Sequence, residues 1–200
     1  MILIEENKTP TAVLPIDHFK EHLRMGSGFA EDTLQNQVLE GYLRAAISSI
    51  EGRTGQALYA RNFVLSLSEW QSADRQVFPL APVRSIFAVT VVNEAGVGYA
   101  YDSTDFKIVE DSYRPALRSV DGSLPTIPDN GRVEISINAG SAEVWSDVPP
   151  DLAQAVLLMA AHYYEYRNDL ALGQGCTPFG VTALIERYRP MRLSMVGGQS

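Results

Sequence analysis

The 200-residue chain is long enough for one domain with a well-buried core, so it needs neither a metal nor a disulfide to stay folded. Its composition, 46% hydrophobic and 20% charged, is typical of a globular protein and excludes wholesale disorder. The 16 basic and 24 acidic side chains give a net charge of −8, which argues against broad binding of nucleic-acid phosphates. The single cysteine, Cys176, excludes an internal disulfide and a multi-cysteine zinc module.

The first third of the chain predicts an arm followed by two helices. Residues 1–14 show no periodicity, so we expect an N-terminal arm. Pro15 favours the start of a helix over 15–25. A longer helix is predicted over 32–54, because apolar residues recur there at helical spacing and Gly55 suits a left-handed C-cap.

From Arg61 the hydrophobic period changes from 3.6 to 2. Residues on alternate sides differ in polarity around Phe63 and Leu65, over 86–92 and over 132–138, and this alternation predicts three strands. Two shorter strands with a weaker pattern are predicted at 76–78 and 105–109. Turn residues separate these segments. The pattern predicts a β-rich insert over 61–140, either an antiparallel sheet or a small barrel.

The helical period returns after this insert. Residues 151–167 predict a helix that is apolar nearly all round, as a core or interface helix is. Its apolar run, 152–164, is shorter than the roughly 20 residues that cross a bilayer, so we expect no membrane association. A final helix is predicted from Val181 to Arg189. The fold class is therefore α+β, with N- and C-terminal helices packed together beside the sheet or barrel.

One pattern suggests metal chemistry. His18, Glu21 and His22 fit H-x-x-E-H, in which two histidines one helical turn apart bind zinc and the glutamate activates water. No third ligand can be identified, and the three side chains fall on the polar side of a short helix. A solvated helix face is the favoured interpretation, a zinc hydrolase stays a remote alternative, and we expect neither catalytic residues, a bound metal nor a cofactor.

A series of ordered segments resembles a known family. The segments are HLR at 22–24, GSGFAED at 26–32, IEGRTG at 50–55, LAPV at 80–83, VPPDLAQAV at 148–156, AHYYEYR at 161–167, PFGV at 178–181 and LIERYR at 184–189. In order and spacing the chain, from about 14 to 193, resembles the head–tail connector (adaptor) proteins of long-tailed DNA phages. It is most similar to the adaptor of alphaproteobacterial gene transfer agents, phage-like particles that package host DNA.

The resemblance implies a structural role and a set of partners. Such adaptors form a ring, commonly twelve-fold, between the portal protein and a tail-side neck protein (stopper or terminator), in a particle neck assembled in the bacterial cytoplasm. Residues 15–172 would form the adaptor body, and 173–200 a hinge at Gly173 and Gly175 followed by a portal-docking helix and tail. The docking residues carried over are Val181, Leu184, Ile185, Arg187, Tyr188, Arg189, Met191, Arg192 and Leu193. The alternative for this helix is that it packs back as the last core helix.

The acidic body fits a channel through which double-stranded DNA passes without specific binding, because carboxylates repel phosphates. The candidate lumen-facing acids are Glu40, Glu51, Asp102, Asp105, Glu110 and Asp111. Another neck or tail-completion ring would obey the same physics and remains the alternative function.

Overall fold

The computed structural model describes residues 1–25, 33–167 and 177–189. The helices are α1 (Ile16–His22), α2 (Thr33–Thr54), α3 (Pro150–Glu165) and α4 (Phe179–Ile185), the last continued by a 3-10 turn at Glu186–Tyr188. The strands are β1 (Ile2–Glu5), β2 (Arg61–Leu67), β3 (Arg75–Val77), β4 (Val83–Val92), β5 (Gly98–Tyr101), β6 (Phe106–Val109), β7 (Ala116–Ser119) and β8 (Arg132–Ala139). Within the described ranges, no helix combines the length and the apolar character needed to cross a membrane.

In the ranges that the structure describes, eight strands form two antiparallel sheets. The larger has the order β1-β2-β8-β4-β5, and the smaller has the order β3-β7-β6. Period-2 alternation turns Phe63, Leu65, Ile135 and Ile137 to the buried side, where they pack with Leu117 of the smaller sheet. In the described part of the chain both sheets stay open, so the antiparallel sheet rather than the small barrel is the observed form.

The helices form a second core at one end of the larger sheet. The apolar stripe predicted on α2 is buried there, with Leu39, Leu43 and Ile50 fully inaccessible. Helix α3 contacts both α2 and α4 and contributes Leu152 and Val156 to the same core. The predicted α+β class, with N- and C-terminal helices packed together beside an antiparallel sheet, is therefore confirmed.

Segment 55–60, which joins α2 to β2, is fixed by backbone hydrogen bonds on both sides. Ala57 N–H donates to Ala81 C=O (2.7 Å), and Ala60 N–H donates to Ala142 C=O (2.7 Å). Gly140 lies beside it with φ +137°, and a Cβ there would stand 2.2 Å from the Tyr59 carbonyl oxygen. Only glycine allows the two backbones to approach this closely. This contact and the hydrogen bonds on both sides of segment 55–60 join the helical core to the sheets without a flexible connection.

Several boundaries differ from the sequence expectations. Helix α1 ends at His22, short of the predicted 25, because Arg24 adopts a left-handed φ of 55°. Part of the predicted arm forms β1, whose consecutive apolar residues give no period-2 signal. The last helix begins at Phe179, two residues before the predicted Val181, and tightens into a 3-10 turn at Glu186.

Candidate docking segment at the C-terminus

Helix α4 packs back onto the body through its apolar side. Val181 and Ile185 are buried in the helical core, and Leu184 and Tyr188 pack at its margin. Pro178 precedes the first turn, and its carbonyl accepts the Thr182 N–H at 3.1 Å. The described conformation therefore matches the alternative in which this helix completes the core.

A polar cluster, the Asp151 clasp, holds the turn that follows α4. Tyr188 donates its hydroxyl hydrogen to Asp151 Oδ1 (2.8 Å), and Arg187 Nη2 lies 2.7 Å from Asp151 Oδ2. Tyr113, from the loop before β7, donates its hydroxyl hydrogen to the Arg187 carbonyl at 2.7 Å. Asp151 also accepts the N–H of Leu152 at the start of α3. One carboxylate thus joins the beginning of α3 to the end of the C-terminal helix.

The clasp stabilises the charged arginine and the neutral tyrosine. Arg187 donates a hydrogen bond to the Tyr188 hydroxyl, and its guanidinium stands over the Tyr188 ring, 4.6 Å from the centroid. This hydrogen bond, ahead of the Asp151 charge, raises the pKa of Arg187. Burial raises the pKa of Tyr188, and the hydrogen bond to Asp151 adds to that rise while Arg187 opposes it. The hydroxyl therefore stays a donor at neutral pH.

The predicted docking residues divide into three groups. Val181 and Ile185 are buried and Leu184 is half-buried, so they contact the chain's own core in this conformation. Arg187 and Arg189 are exposed, and Tyr188 is half-buried in the clasp. Met191, Arg192, Leu193, Gly173 and Gly175 lie outside the described residues. The docking assignment and the hinge therefore stay predictions.

Comparison with known proteins decides the family. Neither a protein-family model nor a curated protein matches the chain. Among solved structures, a chain in the neck of an empty gene transfer agent (GTA) particle computed with C6 symmetry is 46% identical, with a TM-score of 0.87 over 100% of both chains. A chain in the virion of a native GTA particle is 45% identical (TM-score 0.84, 99% of both chains). A third, in the neck of a native GTA particle computed with C12 symmetry, is 43% identical (TM-score 0.82, 100% of both chains).

The chain belongs to the connector family of GTA necks. The similarity covers the whole chain, including the segment 93–130 that carries little of the sequence resemblance. The predicted family and the predicted place in the particle neck are both confirmed.

A buried ion pair in the connector was missed by sequence reasoning. The Arg61 side chain is only 7% exposed, and its Nη1 and Nη2 donate to the two carboxylate oxygens of Glu51 at 2.9 and 2.8 Å. Its Nε lies 3.1 Å from Glu5 Oε1 of β1. Burial opposes the charge of Arg61, but Glu51, aided by Glu5, outweighs it and raises the pKa of the guanidinium. An arginine at the start of a strand gives no sequence signal of such burial.

Most of the candidate lumen acids of the connector have structural partners. Glu40 accepts hydrogen bonds from Arg44 (2.8 Å) and Thr11 (3.0 Å), and Glu51 binds Arg61. Asp102 accepts the Thr104 N–H, and Asp111 accepts the N–H groups of Tyr113 and Arg114, which lowers the pKa of both aspartates. Asp102, Asp105, Glu110 and Asp111 are all exposed, whereas Glu40 and Glu51 are half-buried. The four exposed acids are the stronger candidates for a repulsive wall.

The described part of the chain supplies no third ligand for the zinc alternative. His18 and Glu21 are exposed on α1, and His22 is half-buried. Among residues 1–25, 33–167 and 177–189, no group of three His, Cys, Asp or Glu side chains is placed to hold a metal ion. The ring of His162 lies against that of Tyr166 at an interplanar angle of 46°, with the centroids 4.8 Å apart.

Proposed function

We propose that this connector is a non-enzymatic adaptor whose copies form a ring in the particle neck, joining the portal to a tail-side neck protein and extending the DNA channel. The observation that carries the proposal is full-length similarity, at 43% to 46% identity, to chains in GTA necks computed with C6 and C12 symmetry. A twelve-fold ring agrees with both symmetries, since a twelve-fold ring also has six-fold symmetry. Such a closed ring is a cyclic homo-oligomer.

The C-terminal segment is the proposed portal contact. Its exposed side carries Arg187 and Arg189, whereas the whole chain has a net charge of −8, so the segment differs in sign from the body. A hinge at Gly173 and Gly175 would let α4 leave the core and offer Val181 and Ile185 to the portal. Repetition around the ring offsets the entropy that each copy loses on docking.

The proposed channel wall repels DNA. At −8 per copy, a ring accumulates negative charge, and phosphates near its wall meet exposed carboxylates such as Asp105 and Glu110. We expect no measurable affinity of the isolated connector for duplex DNA at physiological salt. Salt-dependent binding at micromolar concentration, measured by fluorescence anisotropy, would contradict this wall.

The portal contact is tested by co-purification with the portal protein. Deletion of residues 181–200 should abolish co-purification, but it also removes Val181 and Ile185 from the core and exposes α3. The second variant therefore keeps the core and the Asp151 clasp and reverses only the exposed charge of Arg189, Arg189→Glu. The matched control is Arg132→Glu, an exposed arginine on β8.

The expected result is loss of portal binding in both C-terminal variants and retention in the control. Unchanged binding in both C-terminal variants would show that the portal contact lies elsewhere. A connector found in necks without any portal contact would favour the alternative of another neck or tail-completion ring.

A further inference from the structure

Both edges of the larger sheet are open. Within the described residues, no strand pairs with the outer side of β1 or of β5, the two ends of the order β1-β2-β8-β4-β5. Natural proteins commonly protect an edge strand with a lysine, a proline or a β-bulge. Neither strand contains lysine or proline, and both pair with their inner neighbours in a regular register. The outer backbone groups of both edges can therefore accept a further strand.

The side chains of these two edges are mostly apolar and exposed. Ile2 and Ile4 of β1 and Tyr99 of β5 are each more than half exposed. The one charged residue of β1, Glu5, lies at the end of the strand, where its carboxylate stands 3.1 Å from Arg61 Nε. Strand β5 has no charged residue. The two edges can thus lie side by side without burying an unpaired charge.

The pairing of the strands puts the two edges at the same level and in the same direction. One row of paired residues crosses the sheet from Ile2 of β1 to Ala100 of β5, through Ser66, Glu134 and Thr90. The four pairings between neighbouring strands are all antiparallel, so β1 and β5 run parallel to each other. Rotation of a copy about an axis along the strands preserves both level and direction. Such a rotation brings Ala100 of one copy beside Ile2 of the next.

A cavity lies beside β1 on the side of the sheet to which Tyr99 points. The adjacent row joins Tyr99 to Val91, Val133 and Leu67, and these three side chains are buried between the two sheets. Side chains in one row point to the same side of a sheet, so Tyr99 points to that side as well. Leu67, together with Met1, lines a cavity of about 570 Å³ between the end of β2 and β3.

This cavity suits an uncharged aromatic side chain. Trp70 and Phe78 form part of its wall, and its charged lining residues are one acid and one base, Glu69 and Arg114. Tyr99 of the same copy lies four strand spacings away, roughly 19 Å, at the opposite edge of the sheet. The tyrosine that can reach the cavity is therefore that of a neighbouring copy.

We infer that β5 of each copy in the ring lies parallel to β1 of its neighbour, so that the larger sheets continue from copy to copy, and that Tyr99 enters the neighbour's cavity beside Leu67 and Trp70. The inference rests on the proposed ring. A cyclic ring needs two different surfaces on each copy, and the two edges of one sheet supply them. Main-chain hydrogen bonds hold the edges together, and the seated tyrosine fixes their register.

Oxidation of paired cysteines in purified particles tests this contact. The starting chain is Cys176→Ser, which removes the single native cysteine. Ile2→Cys with Ala100→Cys should give a ladder of connector multimers on a non-reducing gel, because adjacent strands are close enough for a disulfide, whereas the two positions within one copy are not. Either single variant, or Ala100→Cys with Gln154→Cys on an exposed position of α3, should give no ladder. Particles that contain the Ile2→Cys, Ala100→Cys connector but give no ladder would overturn the inference.

Substitution of Tyr99 provides a second readout that needs no cross-link. Tyr99→Lys should reduce incorporation into necks at least tenfold, because it brings a charge to the cavity, and should shift the Tm of the isolated chain by less than about 2 °C, because this side chain is 66% exposed. Tyr99→Phe keeps the ring and should be incorporated normally. The matched control is Val120→Lys, at an exposed apolar residue outside both edges.

Equal incorporation of Tyr99→Lys and Val120→Lys would overturn the inference and leave the proposed ring intact. Necks that lack the connector even without these substitutions would remove the proposed function itself.

Discussion

Tyr188→Phe tests whether the Asp151 clasp controls the C-terminal segment. The substitution removes one hydroxyl and keeps the aromatic packing, so it deletes the 2.8 Å hydrogen bond to Asp151 and the one accepted from Arg187. A hydrogen bond to a charged group contributes about 1.5–3 kcal/mol, and partial exposure of this site favours the lower end, about 1.5 kcal/mol. The opening equilibrium of the segment should therefore rise about tenfold.

Hydrogen–deuterium exchange measures this opening directly. The amides of α4 and of Glu186–Tyr188 should exchange about tenfold faster in Tyr188→Phe, while the buried turns of α2 keep their original rates. Tyr99→Phe, on exposed β5, is the matched control and should change neither region. Equal exchange in the two variants would refute the clasp as the element that restrains the segment. If docking requires release, portal affinity should rise by the same factor.

Three further predictions concern the body. Glu51→Ala leaves Arg61 buried with Glu5 as its remaining acidic partner, and should lower the unfolding free energy by about 3–5 kcal/mol in urea titrations. Glu134→Ala removes an exposed partner of Arg132 and should lower the unfolding free energy by only about 0.5 kcal/mol. Similar losses in the two variants would contradict the role of burial. Gly140→Ala should prevent stable folding because its Cβ would overlap the Tyr59 carbonyl, and Gly122→Ala, also at positive φ but in open space, should retain the fold, as circular dichroism would show. Hydrogen bonds from Arg44, aided by Thr11 and opposed by burial, hold the pKa of Glu40 below its ordinary 4.5, so its stabilisation is present above pH 4.5 and lost as pH falls through the lowered value. The stability difference between the native chain and Glu40→Gln should therefore vanish on acidification, and a difference that persists in acid would exclude this cause.

The sequence predicts those parts of the fold that depend on local pattern. The buried side of α2, with Leu39 and Leu43, follows from helical spacing, and Gly55 ends the helix with φ +67° as a C-cap requires. The central strands follow from alternation around Leu65 and Ile135. These elements carry their own periodic signal, because one side of each is buried along its whole length.

The rest depends on contacts between distant residues. Strand β1 was missed because it pairs on one edge only and exposes Ile2 and Ile4. The clasp joins Asp151 to Tyr188, and no periodicity connects an acid at a helix start with a tyrosine 37 residues later. Most of the acids considered for the channel wall proved to be hydrogen-bonded within the fold, which a count of charges does not reveal.

The joint at segment 55–60 determines how the connector responds to force. Hydrogen bonds hold this segment to Ala81 on one side and to Ser141 and Ala142 on the other, so pulling the helical core away from the sheets must shear both sets at once. Tension along the neck is then shared by the helical core and the sheets of each copy. The C-terminal segment, which the Asp151 clasp holds in place, is the part that detaches at the lowest force. Single-molecule stretching should show the C-terminal segment detaching first, at low force, before one cooperative rupture of the body.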